Sequence, residues 1–208
     1  MSFYDRLKEE RIVVILRDVP DEHLLAVADA LYTGGIRLLE ITMNTEGAAQ
    51  QIESLSREFD GKLLVGAGTV LDKEIAETAL RAGAKYLITP NLDVEVLDFG
   101  RENQVDVLPG VMTPSEIVMA HRAGARMVKL FPTKSLGLDY FKELQGPLRH
   151  IPMVAVGGVT LQNAKEFLAA GAVGIGIGGS ILNQEAMRKG NYHVIREKAR
   201  AFVEAVKE

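Results

Sequence analysis

Three features that would narrow the function at once are missing from this sequence. It contains no cysteine, which excludes disulfide bonds, thiolate metal sites and cysteine nucleophiles. It has no excess of positive charge: 24 Lys and Arg residues face 28 Asp and Glu residues, so the composition indicates neither a nucleic-acid partner nor a basic membrane-binding patch. It also lacks long apolar runs, because segments such as IVVIL and MVAV are far too short to span a bilayer.

The beginning of the chain gives no sign of export. The segment MSFYDRLKEERI is charged and helix-like, unlike the apolar core of a signal segment. A length of 208 residues, of which 47% are hydrophobic, is ordinary for one globular domain with a sizeable core. We therefore expect a single domain over residues 1–208, located in the cytoplasm.

A repeated alternation of strands and helices runs through the chain. Amphipathic segments such as Lys73–Arg81 and Pro114–Arg122 separate short apolar runs, which are Ile12–Leu16, Leu38–Thr42, Leu63–Ala67, Tyr86–Thr89, Val105–Leu108, Met127–Phe131, Met153–Val156 and Val173–Ile177. Continuous apolar strands between helices are typical of a parallel sheet covered on both faces. The pattern predicts an α/β fold, a (β/α)8 TIM barrel, with Ser2–Glu10 as an extra N-terminal helix. A Rossmann domain is the alternative, but no strand leads into a proper GxGxxG turn.

Four of the strands share the same lead-in. TGGI, RAGA, RAGA and AAGA precede the second, fourth, sixth and eighth runs. A glycine just after a helix supplies the left-handed position that ends it. The lead-ins therefore indicate a repeated helix-stop, strand-start unit.

Three ionisable residues have the strand parity expected of side chains that point into the barrel. Side chains alternate along a strand, so Arg17, Glu40 and Lys129 share faces with apolar neighbours inside their own runs. A structural ion pair between Glu40 and Lys129 is one interpretation, although a purely structural pair is seldom better than apolar packing. The chemical interpretation is a desolvated amine that acts as a nucleophile, with a nearby carboxylate that moves protons.

Glycine-rich turns follow the last two strands. AVGGVT and GIGGSIL place Gly157, Gly158, Gly178, Gly179 and Ser180 where many barrels bind phosphate through backbone N–H groups. Tight turns without a ligand are the alternative. Lys134 lies in the loop after its strand, as either a solvated side chain or a minor phosphate contact.

Metal and histidine chemistry have little support. Glu40 has no obvious carboxylate or histidine partner at another strand end, and the four histidines lack ligand spacing. We therefore expect no metal and no cofactor.

The motifs LEITMNTE, VGAGTVL, LITPN, PGVMTPSE, VKLFPTK and GIGGSIL resemble those of the KDPG/KHG aldolases. These are class I aldolases that act on 2-keto-3-deoxy-6-phospho sugar acids. The resemblance covers essentially the whole chain and implies a (β/α)8 barrel, a homotrimer and no metal. It implies that Lys129 forms the Schiff base and that Glu40 is the general acid/base. It also implies that Thr69 helps to hold the pyruvyl group, that Pro90 lines the same pocket, and that the glycine-rich turns with Ser180 bind phosphate. Phe131, on the face of Lys129, is expected to line the same pocket.

Two positions depart from the gluconate-type pattern of that family. Asn44 stands where an arginine commonly binds the substrate carboxylate, and Ala155 and Val156 stand where a Pro-Thr pair is common. These changes are similar to the 6-phosphogalactonate branch. We expect Arg17 to replace the missing arginine, because a carboxylate in a dry pocket needs a charged partner.

The predicted activity is cleavage of a 2-keto-3-deoxy-6-phospho sugar acid to pyruvate and glyceraldehyde 3-phosphate. The resemblance also implies cleavage of 4-hydroxy-2-oxoglutarate to pyruvate and glyoxylate as a second activity. A phosphate-binding isomerase or epimerase on the same barrel is the enzymatic alternative, and a non-catalytic sugar-phosphate sensor is the other. Neither alternative requires an inward-facing lysine beside a carboxylate.

Overall fold

Strands and helices alternate along the chain in the computed structural model, which describes residues 2–207. The strands are β1 (Ile12–Leu16), β2 (Leu38–Thr42), β3 (Leu64–Gly68), β4 (Tyr86–Ile88), β5 (Asp106–Leu108), β6 (Gly110–Val111), β7 (Val128–Leu130), β8 (Met153–Val156) and β9 (Gly174–Ile177). The helices are α1 (Phe3–Glu10), α2 (Asp21–Thr33), α3 (Ala48–Glu58), α4 (Lys73–Arg81), α5 (Val94–Glu102), α6 (Pro114–Arg122), α7 (Thr133–Leu148), α8 (Ala164–Ala169), α9 (Gln184–Arg188) and α10 (His193–Lys207).

The strands form one parallel barrel in the order β5-β4-β3-β2-β1-β9-β8-β7-β6. The two end strands of this order, β5 and β6, are consecutive in the chain and separated only by Pro109. β5 pairs with β4 and β6 pairs with β7, so together they act as one barrel strand that changes partner at the proline. Proline has no N–H to donate, which suits it to a break in the ladder. The predicted (β/α)8 barrel is confirmed, and the Rossmann alternative is wrong.

Helix α1 covers the end of the barrel opposite the carboxyl ends of the strands. Its side chains Phe3, Tyr4 and Leu7 are buried in the barrel interior. The ring of Phe3 stacks on that of Tyr86, with centroids 4.0 Å apart, and the Tyr86 hydroxyl donates to the Leu39 carbonyl at 2.6 Å. The Tyr86 ring fits here because Gly66 has no side chain; a Cβ at position 66 would overlap the ring. The interior is therefore filled by side chains at this end, whereas a large cavity opens at the other.

The four predicted lead-in glycines have left-handed backbones. Gly35, Gly83, Gly124 and Gly171 have φ angles of 102°, 98°, 95° and 103°. Each follows a helix and precedes a strand, as the repeated lead-in predicts. Glycine adopts this conformation without the steric cost of a Cβ. Within residues 2–207, no helix combines the length and apolar character needed to cross a membrane.

Candidate active site

A cavity of about 940 Å³ opens at the carboxyl ends of the strands. It is lined by every site residue predicted from the sequence, namely Arg17, Glu40, Thr69, Pro90, Lys129, Phe131, Val156, Gly157, Gly158, Gly178, Gly179 and Ser180. The barrel therefore brings together, at one cavity, side chains from strands that are far apart in the chain. In a barrel of this type, the carboxyl ends of the strands are where chemistry takes place.

Lys129 lies at the centre of β7, on the wall of the cavity. Its backbone N–H donates to the Pro109 carbonyl at 2.8 Å, and its side chain is 5% exposed. The ammonium nitrogen lies 5.0 Å from the centre of the Phe131 ring. Burial lowers the pKa of Lys129 below its ordinary value; the charge of Glu40 opposes this shift and that of Arg17 adds to it. Lys129 is therefore more readily deprotonated than a solvated lysine, and the neutral amine is the nucleophilic form.

Glu40 is 2% exposed and lies on the neighbouring part of the wall. Its carboxylate extends over Gly68, where a Cβ would overlap it. Burial raises the pKa of the Glu40 carboxyl, and the charges of Lys129 and Arg17 partly offset that rise. No direct ion pair joins Glu40 to Lys129 among residues 2–207. The structural ion pair that the sequence allowed is therefore not formed, and a carboxyl of raised pKa suits proton transfer.

Arg17 and Thr69 meet at the mouth of the cavity. The Arg17 Nη2 donates to the Thr69 Oγ1 at 3.4 Å. Thr69 has φ of 55°, a left-handed conformation that is rare for a β-branched residue. Asp18 also has a left-handed backbone, with φ of 52°, and its N–H donates to the Thr45 hydroxyl at 3.2 Å. Such strained positions concentrate at binding and catalytic sites.

Asn44 takes no part in the cavity. It is exposed and lies outside the lining, whereas Arg17 is part of it. Of the pair at the other departure, Ala155 packs in the core outside the barrel interior, and Val156 faces the cavity. Gly176 makes room for Val156, because a Cβ at Gly176 would lie 2.8 Å from a methyl group of that valine. Only Val156 of this pair therefore bears on the ligand.

The glycine-rich end is held by hydrogen bonds from neighbouring segments. The Thr133 hydroxyl contacts the carbonyl oxygens of Val156, at 3.1 Å, and Gly157, at 2.7 Å. Gly157 and Gly158 have φ angles of 95° and 81°. Within residues 2–207, the Ser180 Oγ is shielded from solvent and has no hydrogen-bond partner. Ser180 also lines the cavity, so its hydroxyl is an unused hydrogen-bonding group at this end.

Pro90 completes the wall between β4 and β6. The backbone of Pro90 packs against Gly110, where a Cβ would overlap it. The Thr89 hydroxyl accepts from the Gly110 N–H at 3.0 Å and donates to the Asn91 carbonyl at 2.5 Å. These contacts fix the TPN turn, which the sequence placed at the fourth strand end.

Several residues of the cavity were not predicted as site residues. They are Ile15, Asp18, Lys134, Val159, Thr160, Gly176, Leu182, Gln184 and Met187. Asp18 directly follows Arg17, so its position alone indicated the cavity, and the sequence indicated Lys134 only as a solvated side chain or a minor phosphate contact. Gln184 and Met187 come from α9, beyond the last strand, where no sequence signal indicates which helix turns face the cavity. Among residues 2–207, no three His, Asp or Glu side chains are arranged to hold a metal ion.

Comparison with known proteins agrees with this geometry. The family model of KDPG and KHG aldolases matches residues 3–198. A 2-dehydro-3-deoxy-phosphogluconate aldolase of Pseudomonas aeruginosa is 36% identical over 199 residues, covering 95% of this chain and 90% of that protein. A 2-dehydro-3-deoxy-6-phosphogalactonate aldolase of Escherichia coli K12 is 33% identical over 200 residues, covering 95% of each.

A solved structure shares both the fold and the sequence pattern. The KDPG aldolase from Legionella pneumophila, captured with pyruvate as a covalent carbinolamine intermediate, superposes with a TM-score of 0.86. It is 29% identical to this chain, and the match covers 92% of this chain and 93% of that one. Since the family model spans nearly all the residues and the relatives align over most of their lengths, the chain belongs to the KDPG and KHG aldolase family.

Proposed function

We propose that this chain is a Schiff-base aldolase that cleaves a 2-keto-3-deoxy-6-phospho sugar acid to pyruvate and glyceraldehyde 3-phosphate. The observation that carries the proposal is the burial of Lys129 and Glu40 in one cavity, without a direct ion pair between them. Membership of the aldolase family and the carbinolamine captured in the Legionella pneumophila relative support the same chemistry.

Lys129 begins the reaction. Its neutral amine attacks the C2 ketone of the substrate to give a carbinolamine, and loss of water then gives an iminium. Arg17 and Thr69, joined by their hydrogen bond, hold the C1 carboxylate near the mouth of the cavity. Arg17 thereby takes the place of the arginine that Asn44 replaces.

Glu40 carries the protons. It returns a proton during dehydration and, as carboxylate, removes the proton of the C4 hydroxyl. The C3–C4 bond then breaks, and its electron pair passes into the iminium to form an enamine. The aldehyde leaves, the enamine is protonated at C3, and water hydrolyses the resulting iminium to release pyruvate and the free Lys129 amine.

The distal half of the substrate extends toward the glycine-rich end. The N–H groups of the 157–158 and 178–180 turns and the Ser180 hydroxyl are donors suited to a phosphate. Val156 faces the intervening space without a hydroxyl, so it offers no hydrogen bond to the C4 epimer that a threonine would select. We infer a relaxed or galactonate-leaning selectivity from Val156, in line with the resemblance of the changes at positions 44 and 156 to the galactonate branch.

The test is cleavage of the two purified 6-phospho epimers, followed by coupled detection of pyruvate. We expect turnover of both with a higher kcat/KM for the galactonate type, and no turnover above background by Lys129→Met. Parallel assays with 4-hydroxy-2-oxoglutarate measure the second activity, cleavage to pyruvate and glyoxylate. Absence of pyruvate from all three substrates would reject the proposed function.

The two alternatives make different demands on the cavity. An isomerase or epimerase would interconvert the substrate without pyruvate release, and a sensor would bind it without turnover. Neither function accounts for the burial of Lys129 and Glu40 together. Chromatographic analysis of the substrate after incubation separates the three outcomes.

The remaining inferences concern the assembly and its setting. We infer one domain over the described chain, a homotrimer and a cytoplasmic location from membership of the KDPG and KHG aldolase family. Light scattering after size-exclusion chromatography tests the trimer, and a single cooperative unfolding transition tests the domain assignment.

A further inference from the structure

Lys134 brings a positive charge to the glycine-rich end of the cavity. Three cationic side chains line the cavity, namely Arg17, Lys129 and Lys134. The first two act on Glu40, which places them at the carboxylate-binding and reacting end. Lys134 is exposed, and within residues 2–207 it has neither an ion pair nor a hydrogen bond through its side chain. Its charge is therefore free to meet a ligand.

The backbone around Lys134 is fixed against the Gly157–Gly158 turn. The preceding residue, Thr133, is 1% exposed and bonds the carbonyl oxygens of Val156 and Gly157. The Cβ of Lys134 occupies the space that a side chain at Gly158 would take. The turn is braced from its other side by the Asn163 amide, which donates to the Gly158 carbonyl at 3.1 Å. Lys134 and this turn therefore form one unit, and the lysine stem packs directly on the glycine.

The turns themselves contribute donors but no charge. Backbone N–H groups and the unpartnered Ser180 hydroxyl are neutral, and a phosphate monoester carries about −1.5 to −2 charges at neutral pH. An ammonium group binds such a dianion as a point charge and strengthens its hydrogen bonds. Among the residues that line this end, Lys134 supplies that charge.

We propose that Lys134 is the residue through which this chain selects phosphorylated over unphosphorylated substrates, by pairing its ammonium with the phosphate of the departing aldehyde. This inference rests on the proposed aldolase function. It adds a specificity residue that the neutral donors of the turns do not provide. Pyruvate and the C1 carboxylate bind at the other end of the cavity, so Lys134 acts on the aldehyde half alone.

The experiment uses the reverse reaction, in which two aldehydes differ only in the phosphate. Pyruvate is condensed with either glyceraldehyde 3-phosphate or glyceraldehyde by the full-length wild type, Lys134→Met and Lys134→Arg. The measured quantity is the ratio of kcat/KM for glyceraldehyde 3-phosphate to kcat/KM for glyceraldehyde. We expect Lys134→Met to lower this ratio by about 10-fold or more, chiefly by raising KM for the phosphorylated aldehyde. Lys134→Arg keeps the charge and should retain the discrimination to within about 3-fold of wild type.

Lys142→Met is the matched control, since Lys142 lies in the same segment Thr133–Leu148, beyond the non-helical Gly137, and pairs with Asp139 at 3.6 Å outside the cavity. It should keep the wild-type ratio between the two aldehydes. Inorganic phosphate should inhibit the wild type competitively with the phosphorylated aldehyde and inhibit Lys134→Met more weakly. Rising salt should reduce the discrimination of the wild type more than that of Lys134→Met.

Two results separate this proposal from the function on which it rests. Suppose that pyruvate and borohydride still label Lys129 in the Lys134→Met preparation. Equal losses of kcat/KM for both aldehydes, or no loss for either, would then overturn the role of Lys134. A wild type that neither condenses the aldehydes nor forms the pyruvate adduct would overturn the aldolase function itself. Label on Lys129 with a selective loss for the phosphorylated aldehyde supports both.

Discussion

The carboxylate of Glu40 lies over the backbone of Gly68, in space that any larger residue would occupy. In the sheet register Glu40 is opposite Gly66, and Gly68 is opposite Thr42. The side chain therefore leans along the barrel toward the mouth, where the substrate enters. Two glycines on the inward face of β3 give Tyr86 and Glu40 room to lie side by side.

Gly68→Ala should remove Glu40 from its working position. The added methyl group cannot share the space, so we expect kcat to fall by about 100-fold or more. The free energy of unfolding should fall by about 1–3 kcal/mol from overpacking. Gly146→Ala is the control, because a Cβ there meets nothing within 4 Å, and it should retain wild-type kcat. A Gly68→Ala enzyme of normal kcat would show that Glu40 acts from elsewhere or not at all.

Arg17→Ala should weaken pyruvate binding. The variant removes the guanidinium that donates to Thr69 and is assigned to the substrate carboxylate. Loss of a charge-assisted contact predicts a rise of about 10- to 100-fold in the Kd for pyruvate. Calorimetric titration measures it, with Arg57→Ala, an exposed arginine paired with Glu58, as the control. Affinity equal to wild type would remove Arg17 from the carboxylate site.

The pH dependence of Schiff-base formation should follow the charges around Lys129. Burial lowers the pKa of Lys129, the carboxylate of Glu40 raises it, and Arg17 lowers it. Because the neutral amine attacks, trapping of pyruvate becomes faster as pH rises through that pKa. Arg17→Met should move this rise to higher pH, and Glu40→Gln should move it to lower pH. The rate of borohydride trapping of the pyruvate Schiff base, measured at saturating pyruvate over a range of pH, gives the midpoint of this rise for each variant. Shifts in the opposite directions would contradict the charge arrangement.

Lys129→Met should stabilise the protein while abolishing turnover. A buried amine costs the folded state free energy at neutral pH, and an apolar side chain of similar length removes that cost. We expect the free energy of unfolding to increase by about 1–2 kcal/mol at pH 7 in urea. The lowered folded-state pKa means that the unfolded chain binds more protons between that pKa and the ordinary value of 10.5. Wild-type stability therefore rises with pH in this window, and its difference from the variant should narrow. A variant less stable than wild type would indicate that Lys129 is a structural residue.

Much of this site was predictable because strand parity is local. Once β1, β2 and β7 are assigned, the period of two decides that Arg17, Glu40 and Lys129 point inward. The barrel fold then places the carboxyl ends of these three strands around one cavity. The repeat of strands and helices, with glycine after the helices, was enough to predict the barrel itself.

Other details of the site depend on contacts between residues that are distant in the sequence, and these contacts leave no local pattern. The sequence does not show that Gly66 and Gly68 make room for Tyr86 and Glu40, because those contacts cross between strands. Pro109 splits the fifth barrel strand between two partners, which is a matter of barrel closure rather than of apolar pattern. The left-handed backbone of Thr69 opposes its β-branched preference, so local propensity predicts the opposite.

The central claim is that Lys129 forms a covalent Schiff base with the pyruvyl half of the substrate. The most direct measurement is reduction of the enzyme with borohydride in the presence of pyruvate, followed by peptide mapping by mass spectrometry. We expect one reduced pyruvyl adduct per chain, on Lys129, and none in Lys129→Met. Absence of an adduct in the wild type, or a single adduct on a different lysine, would contradict it.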